Sequence, residues 1–494
     1  MEPEEELPKA LPQPLAAALV FVAAGAVLVL EILAVRLLAP YVGLTLETTT
    51  SIIGAALAGI AMGAALGGYL ADRTDTRLLV VLLLIAGGAL AMLTLPIVRL
   101  LGDALQGEGD AAALFITAVA LVPAAAVLSA VSPAVAHLQL HDLRVSGTVV
   151  GRLSAWATAG ALIGTFGTGF VLVPLIPVST AILLTGIVVA LFGLGLAAWG
   201  GILPGRAQLG AVVGLAAVAA ISLVPDSPCD TESDYHCVAL EKVANETSGY
   251  ELLLDNVHNS YVDLEDPTRL GYSYTRWIAE SIRGSFPGRE PLDAVFVGGG
   301  GFTLPRWLLA TRPGSTAHVL EVDGRVVEFV EDKLGLETSE DLQVSVGDAR
   351  VTALNLPDGS ADLVVGDAFS GYTVPWHLTT VEWLDEVQRV LRPNGIYTLN
   401  LIDEQPMAFV EAELATLLDR FRFVAMIAVL DELGELAGGN VVVLASDRPI
   451  ALPVHKGPPE AAFLRRPQIE EVAADAPVLR DDHAPVDQLL TVTY

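Results

Sequence analysis

Carboxylates end three apolar runs in the second half of the chain, where they could contact a ligand. Glu321 follows "AHVL", Asp348 follows "LQVSVG" and Asp367 follows "ADLVVG". Short β-branched runs that alternate with longer helical stretches are typical of an α/β unit with a parallel sheet. Ligands of such sheets bind outside the carboxyl ends of the strands. The pattern therefore predicts that the three side chains lie along one edge of the sheet.

A glycine run precedes these carboxylates. Four glycines, residues 298–301, follow the apolar run "AVFV" and precede a predicted helix. Glycine lets a ligand approach the backbone closely, but a phosphate loop is disfavoured because Thr303 breaks G-x-G-x-x-G and no Lys follows. A nucleoside fits better: Glu321, about 20 residues downstream, is placed to accept its ribose hydroxyls. Asp348 is placed to accept a hydrogen bond from an adenine amine.

The elements that position these residues form a Rossmann-like domain with a small β-hairpin region at its start. "YELLLDN" and "SYVDL" predict the hairpin, and helices are expected near residues 274–282, 304–309 and 325–333. The predicted strands are AVFVG, AHVLEVD, LQVSVGD, ADLVVGD, GIYTLNL, FVAMIAV and NVVVLAS.

The first half of the chain predicts a multi-pass membrane domain. The chain has 494 residues, 53% of them hydrophobic, and a mean hydropathy of +0.57. Apolar runs of about 20 residues predict about seven spanning helices. They cover residues 15–38, 51–71, 78–101, 111–136, 153–177, 180–203 and 207–224. The predicted parts are an acidic tail 1–14, a membrane domain 15–225, a linker 226–240 and a Rossmann domain 241–494.

Small residues within the spans indicate helix packing. Gly59, Gly63 and Gly67 recur at a spacing of four, which predicts a face where helix backbones approach each other. Glu31 and Arg36 are the exceptions in spans that otherwise hold almost no ionisable residue. An intramembrane charge suggests function, although Arg36 is close enough to the end of its span to reach the interface.

Loop charges predict the side of the membrane. The loops after the second, fourth and sixth spans are basic and are therefore expected in the cytoplasm. Their arginines are Arg73, Arg77, Arg144, Arg152 and Arg206. With seven spans, the second half then lies outside. Cys229 and Cys237 agree with this if they form a disulfide in an oxidising compartment; two free thiols in a cytoplasmic linker are the alternative.

Overall charge narrows the partners. The formal net charge of -30 disfavours nucleic acid and anionic lipid headgroups and tolerates or attracts cations. The apolar spans predict a lipid bilayer as one partner; a small-molecule amine is also expected, and a homodimer is left open. His137 and His141 have a spacing that suits a metal, but a solvated loop explains them better and no metal is expected. His377 is a candidate for proton transfer or substrate binding.

Four motifs in the second half of the chain resemble those of a known enzyme family. "VFVGGGGFTLPRW", "VLEVDGRVVEFV", "VSVGDARV" and "ADLVVGDAFSGYTVPWHLTTVEWLDEVQRVLRPNGIYTLNL" resemble the successive motifs of spermidine synthase, an aminopropyltransferase of the methyltransferase-like Rossmann superfamily. The resemblance covers roughly residues 238–494. Fused to a membrane half, the chain resembles the transmembrane spermidine synthase-like proteins.

The resemblance implies roles for particular residues. Asp367 corresponds to the carboxylate that takes a proton from the attacking amine, and Tyr274 to a tyrosine that lines the cleft. The donor, decarboxylated S-adenosylmethionine or S-adenosylmethionine itself, would contact Gly298, Gly299, Gly300, Glu321, Asp348 and Ala349.

Departures from the family concern the amine-binding positions. Gly301 replaces an Asp that holds the donor ammonium, Ser370 replaces the second acid of D-x-x-D, and Asn259 replaces the Gln of D-G-x-x-Q. Arg276 stands where an acidic residue is usual, and could pair with the carboxylate that S-adenosylmethionine retains. Diamine binding is expected to weaken, because a desolvated ammonium needs a carboxylate partner.

Three functions remain open on these grounds. A membrane-anchored aminopropyl or methyl transferase is the first expectation. A transporter whose second half senses a polyamine needs intramembrane acids, and Glu31 is nearly alone. A non-catalytic binding domain is the third, because adenosyl sulfoniums are made in the cytosol whereas the loop charges place the domain outside.

Overall fold

The structure, a computed structural model, describes residues 11–43, 46–105, 110–140, 146–369, 371, 374–431, 434–451 and 461–491. The chain divides into two compact units. The first ends at Cys237 and the second begins at Val238. Each unit buries its own apolar core.

The first unit is helical. Its helices are α1 Gln13–Val42, α2 Leu46–Ala71, α3 Thr76–Leu105, α4 Asp110–Ala120, α5 Val122–Ser129, α6 Val131–Gln139, α7 Ser146–Gly167, α8 Val173–Leu175, α9 Val178–Gly200 and α10 Gly205–Ser222, with a π-helical turn Thr168–Leu172 between α7 and α8. Within the described residues, seven helical segments are long and apolar enough to cross a membrane, judged by length and composition. The expected number is confirmed.

The fourth predicted span differs from the structure. The run 111–136 divides into α4 and a spanning segment Val122–Gln139. Pro123 lies in the first turn of α5. Proline is favoured in the first turn of a helix, where its missing N–H costs no hydrogen bond, so Pro123 marks the start of α5 after α4 ends at Ala120.

Glycines in the first unit let helices pack backbone to backbone. A Cβ at Gly59 would lie 3.0 Å from the carbonyl oxygen of Val122, and one at Gly67 would lie 2.6 Å from the Cα of Ala130. The contact face predicted from the spacing of four is therefore confirmed, and it lies between α2 and the segment around α5.

The second unit alternates strands and helices. A two-residue strand, β1 Thr231–Glu232, lies before it. Its strands are β2 Cys237–Lys242, β3 Gly249–Leu254, β4 Val257–Asp263, β5 Asp293–Val297, β6 Thr316–Glu321, β7 Leu342–Val346, β8 Ala361–Gly366, β9 Leu391–Asp403, β10 Phe423–Val429, β11 Gly439–Ser446 and β12 Ala461–Arg465. Its α-helices are α11 Ser273–Ser285, α12 Thr303–Thr311, α13 Gly324–Leu334, α14 Ala349–Thr352, α15 Val381–Val390, α16 Ala408–Arg420, α17 Arg466–Val472 and α18 Val486–Leu489.

The large sheet has the order β12-β10-β11-β9-β8-β5-β6-β7. Strands β5 to β9 are parallel, whereas β11 runs antiparallel to both β9 and β10. The chain leaves β5 toward β6 and β7 and then returns to β8 on the other side. This reversal between β5 and β8 is where doubly wound sheets bind ligands, and the α/β fold class is confirmed.

The hairpin region is an antiparallel meander of β2, β3 and β4. The first of these strands begins at Cys237, inside the segment 226–240 that the sequence predicts as a linker. A disulfide joins Cys229 and Cys237.

Candidate active site

The carboxyl ends of β5, β6 and β8 are tied together by their backbones. Gly298 N donates to the carbonyl oxygen of Leu320, and Asp367 N donates to that of Val297, both at 2.9 Å. The glycine loop, Glu321 and Asp367 therefore share one edge of the sheet, at the reversal point.

Protein atoms surround the glycine loop closely. A Cβ at Gly298 would overlap the carbonyl oxygen of Asp367 and lie 3.0 Å from the Cα of Ala368. Gly298 and Gly300 also have positive φ values of 95° and 48°, which side chains rarely adopt. The first glycine is thus required by the approach of β5 to the segment after β8, and not by a ligand alone.

The end of the loop packs against β4. A Cβ at Gly300 would lie 2.5 Å from Asn259 Oδ1, and one at Gly301 would lie 2.7 Å from Val262 Cγ2. Gly301 N also donates to Ser260 Oγ at 3.0 Å. Position 301 therefore has no room for an anchoring aspartate unless β4 moves.

Glu321 holds the glycine loop. Its Oε2 accepts from Gly299 N at 2.7 Å and from Gly300 N at 3.4 Å, and its Oε1 accepts from Asp323 N at 2.9 Å. The carboxylate is 8% exposed. A carboxylate has about four acceptor positions, so these bonds leave capacity for ribose hydroxyls.

Asp348 lies at the start of α14, beside the buried Ala349. Its Oδ1 accepts from Arg350 N at 2.8 Å, which caps the helix. Its Oδ2 lies 3.1 Å from His377 Nε2. The structure therefore places His377 on the carboxylate predicted to contact adenine.

Asp367 and Tyr274 are brought together. Tyr274 Oη donates to Asp367 Oδ2 at 3.2 Å, and burial followed by the Asp367 charge raises the Tyr274 pKa well above its usual value. Burial also raises the pKa of Asp367 to about 6, although hydrogen bonds from Asn400 and Tyr274 act in the opposite direction. Such a carboxylate can gain and lose a proton near neutral pH.

Asn400 and Asn440 were missed by sequence reasoning. Asn400 Nδ2 donates to Asp367 Oδ1 at 3.0 Å, and Asn440 Nδ2 donates to Asn400 Oδ1 at 3.0 Å. The available signal is a single amide within the apolar run "GIYTLNL". Both Asp367 oxygens thus accept from neutral donors, which fixes their orientation.

A narrow pocket opens beside these groups, with about 20 Å³ of space for water-sized groups. Tyr272 and Tyr274 line it as a stacked pair with ring centroids 6.2 Å apart. Among its described lining residues, Asp367 is the only carboxylate. A space of this size holds about one water molecule, and Asp367 is positioned to accept a hydrogen bond within it.

The other residues that the sequence predicts to bind substrate either bond to nearby protein groups or lie outside the described residues. Arg276 donates to the carbonyl oxygens of Leu270 and Gly271 and to Ser273 Oγ, at 3.1, 2.6 and 2.8 Å. In the described part of the chain Arg276 has no carboxylate partner. Its bonds instead stabilise the segment that leads into α11. Asn259 Oδ1 accepts from Ser260 Oγ, and Ser370 lies outside the described residues.

Comparison with protein families and relatives agrees with this fold. Residues 296–399 match the family model described as "Methyltransferase domain". A polyamine aminopropyltransferase of Vibrio vulnificus is 30% identical over 142 residues, which are 28% of this chain and 46% of that protein. One of Chromobacterium violaceum is 24% identical over 188 residues, or 38% of this chain and 67% of that protein. The chain thus spans about half the length of the first relative.

Solved structures give matches of the same kind. A probable spermidine synthase of Corynebacterium glutamicum is 25% identical, covers 53% of this chain and 99% of its own, and has a TM-score of 0.48. Spermidine synthase of Thermotoga maritima is 16% identical, covers 44% and 72%, and has a TM-score of 0.36. The second unit is similar to the polyamine aminopropyltransferases over part of its length and has the methyltransferase-like Rossmann fold.

Proposed function

We propose that the second unit transfers an aminopropyl group from decarboxylated S-adenosylmethionine to a small amine. The observation that carries the proposal is Asp367, held by Tyr274 and Asn400 beside the glycine loop with its pKa near 6. Similarity to polyamine aminopropyltransferases supports the group transferred. The apolar helices of the first unit would anchor the enzyme in a membrane.

In this proposal Asp367 accepts the proton of the attacking amine. The nitrogen lone pair forms a bond to the carbon beside the sulfonium, the carbon–sulfur bond breaks with its electrons going to sulfur, and a neutral thioether leaves. A carboxylate within hydrogen-bonding reach promotes loss of the proton. Most of the remaining acceleration comes from alignment of the two reactants.

The donor would be held by the carboxylates that follow β6 and β7. Glu321 would accept the ribose hydroxyls while it keeps the glycine loop in place, and Asp348 beside Ala349 would accept from the adenine amine. Asp348 would then either give up its contact with His377 or bond to His377 and the adenine amine at the same time. The chemistry requires no metal, because a sulfonium is already a good leaving group.

Methyl transfer from S-adenosylmethionine is the second candidate. It is favoured by the packing of Gly301 against Val262 and Ser260, because no carboxylate stands at that position to balance the ammonium of the decarboxylated donor. The local bonds of Arg276 weigh against it, since they use the cation that could bind the donor carboxylate.

Parallel titrations of the full chain with the two donors test both candidates. We expect decarboxylated S-adenosylmethionine to bind more tightly, and an added amine to yield an aminopropylated product by mass spectrometry. Glu321→Ala should weaken donor binding, whereas the exposed Glu328→Ala on α13 should not. A methylated product would support the second candidate, and binding of neither donor would refute both.

The side of the membrane is a separate proposal. We propose that the segment with the disulfide lies outside the cytoplasm, because the arginines between the even-numbered spans and the spans that follow them mark the opposite side. Of those predicted in loops, Arg73 lies in one, whereas Arg77, Arg152 and Arg206 lie in the first two turns of α3, α7 and α10; Arg144 lies outside the described residues. An impermeant thiol reagent added to intact cells after reduction should label Cys229 and Cys237. Labelling only after lysis would place the second unit in the cytoplasm.

A further inference from the structure

The first unit contains an apolar cavity that the proposed transfer reaction does not use. It has a volume of about 480 Å³ and is lined by α1, α2, α5, α6 and α7. Among its described lining residues only Ser129, Ser132 and Ser154 are polar, and none is ionisable. A cation would lose its hydration there without a charged partner, so the cavity suits a hydrocarbon chain and not a polyamine.

Backbone contacts hold two sides of this cavity in place. A Cβ at Gly25 on α1 would lie 3.0 Å from the carbonyl oxygen of Gly160 on α7, and one at Gly63 on α2 would overlap the carbonyl of Ala126 on α5. Helices in such contact have little freedom to close the space between the pairs. The cavity is therefore built into the bundle.

A polar pocket adjoins the cavity at one end, and Leu153 lines both. Gln13, Gln139, Arg152 and Trp156 also line the polar pocket. Arg152 donates to Gln13 Oε1 at 3.1 Å. Among the residues with described positions it has no carboxylate partner, so its charge is available to an anion.

We infer that the two pockets together bind one anionic phospholipid of the surrounding bilayer. The phosphate-bearing headgroup contacts Arg152 and the amide N–H groups of Gln13, and one acyl chain occupies the apolar cavity; Gln139 Nε2 already donates to the carbonyl oxygen of Leu11. Trp156 lines the headgroup pocket, and tryptophan is favoured at a membrane interface. The lone arginine selects an anion in a chain whose formal net charge is -30.

Quenching of Trp156 by lipids with brominated chains tests this inference in vesicles that contain the full chain. The difference between wild type and Trp156→Phe isolates this ring from the other tryptophans. We expect brominated phosphatidylglycerol to compete for the site about fivefold better than brominated phosphatidylcholine, from the contribution of one arginine near an anionic headgroup.

Matched variants separate the two parts of the site. Arg152→Gln should abolish the headgroup preference, whereas the exposed Arg206→Gln should keep it. Ala64→Leu, which fills the cavity, should reduce quenching by both lipids, whereas Ala65→Leu on the next position of α2 should not.

Equal quenching by the two headgroups in wild type, or a preference that survives Arg152→Gln, would overturn the inference. Unchanged quenching in Ala64→Leu would show that the acyl chain does not occupy the cavity. None of these outcomes depends on turnover by the second unit.

Discussion

In both units a glycine lets two backbone segments pack closely, but the groups brought together differ between the units. In the first unit a Cβ at Gly63 would overlap the carbonyl of Ala126, and in the second a Cβ at Gly298 would overlap the carbonyl of Asp367. The first contact joins two apolar helices. The second places the end of β5 against a residue whose carboxylate is the candidate proton acceptor.

The difference shows what each unit uses close packing for. A membrane provides no hydrophobic drive between helices, so small residues supply association through dispersion contacts. In the sheet, burial already stabilises the strands, and the close approach instead positions Asp367 beside the glycine loop. Perturbing the charge or the packing separately should distinguish the two uses.

Removal of the Asp367 charge should have the largest effect. Asp367→Asn keeps the size of the side chain but cannot accept the amine proton, so we expect turnover to fall by about 10²- to 10⁴-fold. Donor affinity by calorimetry should remain close to that of the parent. A variant that turns over normally would show that Asp367 serves packing alone, as Ala126 does.

The pH dependence should show opposite trends for activity and stability. Because the pKa of Asp367 is raised from 3.8 to about 6 in the folded chain, turnover should rise with pH up to about 6 as the carboxylate loses its proton. The raised pKa means that the folded state binds this proton more tightly than the unfolded state. The proton bound to Asp367 therefore stabilises the folded state. Its contribution to the free energy of unfolding is complete below about pH 3.8 and is lost as the pH rises through about 6.

The loss of stability over this window should be about 3 kcal/mol or less. Chemical unfolding of the second unit at a series of pH values measures it, with the same series on Asp367→Asn as the control. The control should lack this component. An identical pH dependence in both proteins would assign the titration to another group.

Alanine at the two glycines should separate packing from catalysis. We expect Gly63→Ala and Gly298→Ala each to lower the stability of their own unit by about 1 to 3 kcal/mol, because the added methyl group overpacks a close contact. Only Gly298→Ala should also reduce turnover, since it displaces Asp367. Gly68→Ala, which meets nothing within 4 Å, is the control for the first unit.

Arg276 should give the smallest effect. Its bonds are to neutral oxygens of the preceding segment, so Arg276→Ala should destabilise the second unit by about 1 kcal/mol and leave donor affinity unchanged. Thermal unfolding and donor titration measure the two quantities. A large loss of affinity for S-adenosylmethionine alone would restore the carboxylate-binding interpretation and favour methyl transfer.

Some elements could be predicted because local pattern and tertiary structure agree. The seven predicted strands of the sheet form strands β5 to β11; the parallel strands β5 to β9 are largely continuous apolar runs, and the antiparallel β10 and β11 are also mostly buried. The boundary of the fourth span could not be read from apolar content, because Pro123 marks the start of a new helix within a run that remains mostly apolar on both sides. Tyr274 could be placed only through the family resemblance.

The sequence by itself determined the two-part organisation, the order of strand and helix, and the set of carboxylates at successive strand ends, because these follow from local periodicity and chain order. Only the tertiary structure decided which partner each residue meets. It placed Asn400 on Asp367, His377 on Asp348 and Arg276 on nearby carbonyl groups. These contacts depend on the approach of segments far apart in the chain and on competition among neighbouring donors, which spacing along the sequence does not encode.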